Sequence, residues 1–438
     1  MTDLDEPPQK AKRRRWSLRA AWRALGPGLV TGAADDDPSG IATYSQAGAQ
    51  FGFALTWTVL LTLPFMVAIQ IISGCIGWQT RAGLARTIAR HLPRPVLYGI
   101  VILLVAANTI NIAADLAAMG EALRLVIGGS PLPYALAFGL GCLIAEVLVP
   151  YHRYAGYLKL LTLVLLVYVV AAFTIDVPWG AVAVATFVPA ISLDRDFLLT
   201  IVALFGTTIS PYLFFWQASQ EAEESRLSLR RQLQKEPGAR ADFFSRISVD
   251  TWVGMLFSNL IAFFIIVTAG ATLHVHGITN VETAAQAAEA LRPLAGELAF
   301  ALFAAGIIGT GLLAVPILAG SVAYAVAEVF RMRGSLEMPI GRAIGFYAIV
   351  SAATLGGVAL TATNIQPIAM LFWSAVINGV VALPIMVAIM LAISNPRRDK
   401  RTGLSELPLW LKVLGWCASV MMALATGLLG WSYLAQSG

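Results

Sequence analysis

Three observations predict an all-α polytopic membrane protein. Of 438 residues, 58% are hydrophobic and only 13% are charged, against about 25% charged in ordinary soluble domains. Apolar runs long enough to cross a bilayer recur almost from end to end. The basic residues alternate between rich and poor loops. A soluble enzyme of this length needs far more charge to cover its surface. The net charge of +5 is sorted by loop rather than gathered in a patch, so it is no nucleic-acid signature.

A spanning helix needs about 20 apolar residues. Runs of that order lie at 25–50, 53–78, 96–122, 132–149, 154–174, 197–217, 247–273, 297–330, 341–361, 366–393 and 409–434. That predicts eleven spans. Ahead of them, residues 1–24 are polar and then basic, without the apolar core of a cleaved signal peptide. They read as a cytoplasmic tail that touches anionic lipid. The run at 297–330 carries Gly306, Gly309, Gly311 and Pro316, which predicts a tilt or bend. The loop at 218–245 holds Glu221, Glu223, Glu224 and several Arg, and reads as a solvated cytoplasmic segment with room for a short amphipathic helix. Cys75, Cys142 and Cys417 all fall inside apolar runs, so they read as small hydrophobes rather than a disulfide framework.

Orientation follows from Lys and Arg in the loops. With the N-terminus inside, 26 of the 30 basic residues fall on the cytoplasmic side, while Arg124, Arg195 and Arg292 fall opposite and Lys159 sits within the fifth span. Eleven spans then place the C-terminus outside, in an inner or plasma membrane.

Two spans contain a helix breaker among polar residues. The first reads Gly32-Ala33-Ala34-Asp35-Asp36-Asp37-Pro38-Ser39-Gly40, and the sixth reads Gly206-Thr207-Thr208-Ile209-Ser210-Pro211-Tyr212. Each opens a set of five spans, 25–175 and 197–393, with 409–434 as an additional helix. Five is odd, so the second set enters from the opposite side. Paired interruptions at matched positions of two halves predict an inverted-repeat transporter with a site near the membrane midplane. Proline removes a backbone donor. The carbonyls it frees must line a cavity or be buried in protein, because lipid offers them nothing.

Ionisable residues inside spans are costly and default to function. Asp37, beside the break, is the sharpest candidate for holding a cation. Asp35 and Asp36 point elsewhere on a regular helix and read as vestibule or proton-carrying residues. Asn108, Asn111 and Asp115 step by 3 and 4 and share one helical face. That face lines an aqueous path or forms an interhelical hydrogen-bond network. Glu121 is a further acid in the same span. Glu146 and Glu328 sit near span ends and read as snorkelling or salt-bridged. Asn259 and Asn378 read as interhelical glue, Asn378 being also a candidate for the pathway. His91, His152, His274 and His276 lie in loops or near span ends and read as surface residues.

The break at Asp37-Pro38-Ser39-Gly40, followed by Gln46-Ala47-Gly48-Ala49, resembles the Asp-Pro-Gly-Asn motif of the natural resistance-associated macrophage protein (NRAMP) metal transporters. That family has a LeuT-type inverted-repeat fold of eleven or twelve spans. The resemblance implies that Asp37 binds metal, with the family's Asn replaced by Gly40. It places Ser210 where the family has a metal-binding Met, and Thr207 where a carbonyl is offered. Tyr212 and Gln217 stand at two His positions. Asp115 keeps the family's third-span Asp, and Ala118 replaces its Glu.

A thioether is a soft ligand, and a hydroxyl in its place leaves an all-oxygen site suited to a hard ion such as Mg2+ or Mn2+. Two lost His and a lost Glu remove most proton-relay groups. The departures resemble those of the family's magnesium transporter branch. The expected function is therefore secondary transport of hydrated Mg2+, and of Mn2+, by alternating access with weak or no proton coupling. Asp37, Ser210, Thr207 and Gly40 would form the site. Asp35, Asp36, Thr208, Tyr212, Gln217, Asn378, Asp115 and Asn111 would surround it or line the path. The alternatives are a proton-coupled Mn2+/Fe2+ importer and, disfavoured because three aspartates repel a carboxylate, a Na+-coupled organic-solute symporter. No catalytic constellation, cofactor or nucleic-acid partner is expected. Lipid surrounds the chain, and a monomer suffices.

Overall fold

The computed structural model describes residues 27–149, 162–232, 239–336, 338–362, 365–394 and 407–436, and all regular structure there is helical. The first span is two helices, α1 (Pro27–Asp35) and α2 (Pro38–Phe51). After α3 (Thr56–Thr80), the short α4 (Leu84–His91) leads into α5 (Arg94–Ile127) and α6 (Pro131–Leu148). Next come α7 (Leu166–Thr174) and α8 (Trp179–Phe187), where the chain bends by 118°. The second half begins with α9 (Arg195–Thr208) and α10 (Pro211–Gln232). It continues through α11 (Ala239–Ala269), the short α12 (Ala284–Glu289), α13 (Ala299–Val329), α14 (Ile344–Thr361) and α15 (Pro367–Ser394). The last helix is α16 (Leu409–Gln436).

Among the described residues, nine helical runs are long and apolar enough to cross a membrane. The first expected span is split between α1 and α2, with three aspartates at the joint. The fifth begins among residues 150–161, which lie outside the described set together with His152, Arg153 and Lys159. The whole basic tail, residues 1–24, also lies outside it.

Both interrupted spans restart at proline. Pro38 opens α2 and Pro211 opens α10. At the first helical position proline costs nothing, because that N–H has no intrahelical partner. Pro316 sits instead inside α13, which runs as one helix from Ala299 to Val329.

The packing exchanges the two halves. The first span packs on the seventh, the sixth packs on the second, and the third packs on the eighth. Swapping spans one to five for six to ten turns the first pairing into the second and leaves the third unchanged. Close approach depends on glycine at the seams. A Cβ on Gly32 would collide with the backbone of Gly254, joining α1 to α11. A Cβ on Gly206 would collide with the Ala375 carbonyl and the Gly379 amide, joining α9 to α15.

Two charged regions differ from expectation. The helix in the 218–245 segment is no separate amphipathic piece, because α10 runs on without a break to Gln232. Glu221 is buried there and pairs with Arg246 of α11 at 3.1 Å, and Arg246 also holds Glu224. The polar stretch is rich in good helix formers, so the helix outlasts its apolar run. Glu328 does not snorkel either. Its carboxylate accepts the backbone N–H groups of Gly83 and Arg86 at the start of α4, where they have no intrahelical acceptor.

Candidate functional site

The helix break in the first span places Asp37 at the N-cap of α2, with extended backbone (φ −67°, ψ 171°). Its Oδ1 accepts from the Gly40 amide at 2.8 Å and from Ser39 Oγ at 2.6 Å. Its Oδ2 accepts from Asn111 Nδ2 of α5 at 3.2 Å and from the Tyr212 hydroxyl of α10 at 3.1 Å. Asp37 is about 1% exposed. A buried carboxylate is tolerable only when donors or a cation answer its charge, and here four donors from three spans do so. The Tyr212 hydroxyl has one hydrogen and two acceptors, since the Ala34 carbonyl lies 2.9 Å away.

The sixth-span break contributes neutral oxygen. Ser210 Oγ donates to the Thr207 carbonyl at 2.6 Å and approaches the Gly206 carbonyl at 3.2 Å. Thr208 Oγ1 donates to Leu204 within its own helix, at 2.8 Å, so it shapes the turn rather than reaching across. The two breaks meet at Gly40, where a Cβ would lie 3.0 Å from Thr207 Oγ1. The Gly206–Gly379 contact brings α15 against α9 and sets Asn378 beside this break. Asn378 is buried, and neither its Oδ1 nor its Nδ2 has a hydrogen-bond partner among the described residues. It is therefore not the interhelical glue the sequence suggested. Asn259 does act that way, donating to Met66 Sδ at 3.2 Å.

Asp35 and Asp36 turn toward α11. Ser258 Oγ lies 2.6 Å from Asp35 Oδ2 and 3.1 Å from Asp36 Oδ1. Among the described residues, no three His, Cys, Asp or Glu side chains gather as a metal-ligand group. The site is thus one carboxylate with carbonyls, hydroxyls and amides, not a cage of three aspartates. Gln217 lies farther along α10, where its Oε1 accepts from Thr31 Oγ1 of α1 at 2.6 Å.

The polar face of α5 divides its work. Asn111 reaches Asp37, while Asn108 Nδ2 donates to the Leu318 carbonyl of α13 at 3.0 Å. Asp115 is fully buried, and its carboxylate has no hydrogen-bond partner among the described residues. Glu121 pairs with Arg124 on the same helix. Glu146 departs from the sequence expectation. It does not snorkel but is about 1% exposed, with neither oxygen partnered among the described residues. It ends a buried stripe of Ala135, Gly139, Cys142 and Glu146 on α6. The 4, 3, 4 spacing of that stripe was the available signal. His274 and His276 each bond a backbone carbonyl through Nδ1, to Ala49 and Thr272, and are exposed as expected.

A cavity of about 570 Å3 opens above the breaks. It is lined by Ala42, Gln46 and Gln50 of α2, by Asp196 and Thr200 of α9, and by Trp373 of α15. On the far side of the breaks α1 is docked on α11, with the Gly28 amide donating to Asp250 Oδ2 at 2.7 Å.

The family model described as "Natural resistance-associated macrophage protein-like" matches residues 28–432. The chain belongs to the Nramp family. This Nramp chain is therefore a membrane transporter, not an enzyme. It is 26% identical over 414 residues to a protein named divalent metal cation transporter MntH from Klebsiella pneumoniae, covering 93% of this chain and 92% of that protein. The manganese transporter of Eremococcus coleocola has the same fold, with a TM-score of 0.72 at 16% identity, over 95% of this Nramp chain and 87% of that one. Mhp1, a nucleobase-cation-symport-1 family transporter, is a more distant structural neighbour. Its TM-score is 0.55 at 13% identity, over 94% of this chain and 93% of that one. The likeness to that structure is one of fold.

Proposed function

We propose that this chain carries divalent metal cations across an inner or plasma membrane by alternating access, with hydrated Mg2+ as the favoured cargo and Mn2+ as a second. The family assignment and the MntH likeness support divalent metal transport. The observation that carries the preference is the sixth-span break, where Ser210 presents a hydroxyl beside the Thr207 carbonyl. With Asp37 as the single carboxylate, the ligand atoms that the two breaks offer are hard oxygens. Mg2+ dehydrates reluctantly and keeps several waters in sites of one or two carboxylates. Small Ser and Gly side chains leave room for those waters.

The ion would replace the donors that now hold Asp37. Asn111 and Tyr212 occupy Oδ2, and both can turn to the ion's water instead. The open cavity on one side and the docked α1 on the other support a state that admits cargo from the outside. The basic-residue count supports a cytoplasmic N-terminus and an external C-terminus.

The test is metal uptake into liposomes holding a Mg2+ reporter and a pH reporter. Mg2+ uptake without internal acidification is the expected result. Uptake of Mn2+ but not Mg2+, with acidification, would establish the proton-coupled importer in its place.

A further inference from the structure

Away from the helix breaks, a second cavity of about 350 Å3 opens between the start of α4, the α10 helix and the end of α13. Its lining includes Arg86, Arg226, Arg331 and Arg333, with Ser219 and Tyr324 at its polar wall. Two acids, Glu223 and Glu328, also line it. Each also bonds a neighbour, and Glu328 lies within the field of Arg86 and Arg226. Glu328 accepts the backbone amides of Gly83 and Arg86, and Glu223 accepts the Tyr324 hydroxyl at 2.9 Å.

The arginines are not answered in the same way. Arg226 donates Nε and Nη2 to the Arg81 carbonyl, at 3.1 and 2.6 Å. The guanidinium groups of Arg331 and Arg333 have no hydrogen-bond or close ion-pair partner among the described residues, and Arg86 has no hydrogen bond from its guanidinium but faces the Glu328 charge. The backbone adds a second observation. Among the described residues, the two non-glycine positions with left-handed backbone are Arg81 (φ 53°) and Arg331 (φ 55°), and each ends a helix beside this cavity. Such C-terminal positions ordinarily take glycine, which adopts that conformation without strain. Here each carries an arginine.

We propose that this cavity is a binding site for a phosphate-bearing anion, held by the guanidinium groups of Arg86, Arg331 and Arg333. The planar guanidinium fork matches phosphate oxygens in pairs, and the cavity has room for a phosphate and the alcohol it esterifies. A bound anion would join α4 and α13 across the site. The same chemistry is offered by an anionic lipid headgroup and by a soluble phosphate compound. The site stands apart from Asp37 and does not depend on which metal the chain carries.

The experiment uses the full chain in phosphatidylcholine nanodiscs and a double variant, Arg331→Asn with Arg333→Gln. Asn tolerates the left-handed backbone at position 331. One arm titrates pyrophosphate by calorimetry. The other measures retention of phosphatidylglycerol by native mass spectrometry. Pyrophosphate binding that weakens about tenfold or more in the variant supports the site and identifies a soluble anion. Phosphatidylglycerol kept by the wild type and lost by the variant supports it and identifies a lipid headgroup. Absence of both ligands from the wild type, or equal binding by wild type and variant, overturns it. Metal flux of the variant in phosphatidylcholine liposomes, expected to match the wild type, shows that it folds.

Discussion

The two broken helices answer the same problem differently. At the first break the freed groups are drawn into contacts between spans, and Asp37 is held from α5 and α10 as well as from its own turn. At the sixth break they are satisfied locally, with Ser210 folding back on the Thr207 carbonyl three residues earlier. One half supplies charge and the other supplies shape and neutral oxygen. Removing the first contribution should therefore abolish transport, and altering the second should redirect it.

Asp37→Ala tests the first half of that contrast most severely. Uptake of Mg2+ into liposomes should fall about a hundredfold or more, because a buried cation loses its only carboxylate. Retained flux would remove the distinction between the breaks altogether. Ser210→Met should leave transport in place and shift competition toward Mn2+ and Cd2+ over Mg2+ by about tenfold. Unchanged selectivity would mean that the sixth break contributes geometry alone. A smaller effect is expected for Tyr212→Phe, which removes a donor that competes with the ion for Asp37. The apparent KM for Mg2+ should drop by about 2- to 10-fold, the worth of one hydrogen bond. A higher KM would show that the hydroxyl serves the bound ion instead. The mildest change is Glu146→Gln on α6, which keeps size while removing a carboxylate with no described partner. Thermal stability should hold or rise, and flux should stay within about twofold of the wild type. A collapse of flux would extend the functional charge well beyond the two breaks.

Several of these contrasts were visible in the sequence. A proline inside an apolar run, flanked by acids, announces a break that lipid cannot accommodate. The 3 and 4 spacing of Asn108, Asn111 and Asp115 announces a shared face, and Asn111 indeed reaches Asp37. The partners of that face were not visible. Ser258 beside Asp35 and Asp36, Asp250 on the Gly28 amide and Thr31 on Gln217 join residues 223, 222 and 186 positions apart. Helical periodicity names the face of each helix but not the axial register between two of them. Glu146 was misplaced for a related reason. Its position near a span end suggested water, but the small residues Gly139 and Cys142 let α6 sit tightly against its neighbours and bury the carboxyl.

Composition, apolar run length and the two prolines were enough for an all-helical membrane protein with two interrupted spans and little charge inside them. These follow from the bilayer, which imposes one length and one polarity on every span. Which aspartate of the three meets α5 and α10 was a tertiary matter. The chain leaves the helix at Asp36 and re-enters it at Pro38, turning Asp37 toward Asn111 and Tyr212 while its neighbours face Ser258. The helices on either side are held close by glycine, α1 on α11 through Gly32 and α9 on α15 through Gly206. Such a close approach depends on both surfaces at once, so neither helix specifies it alone.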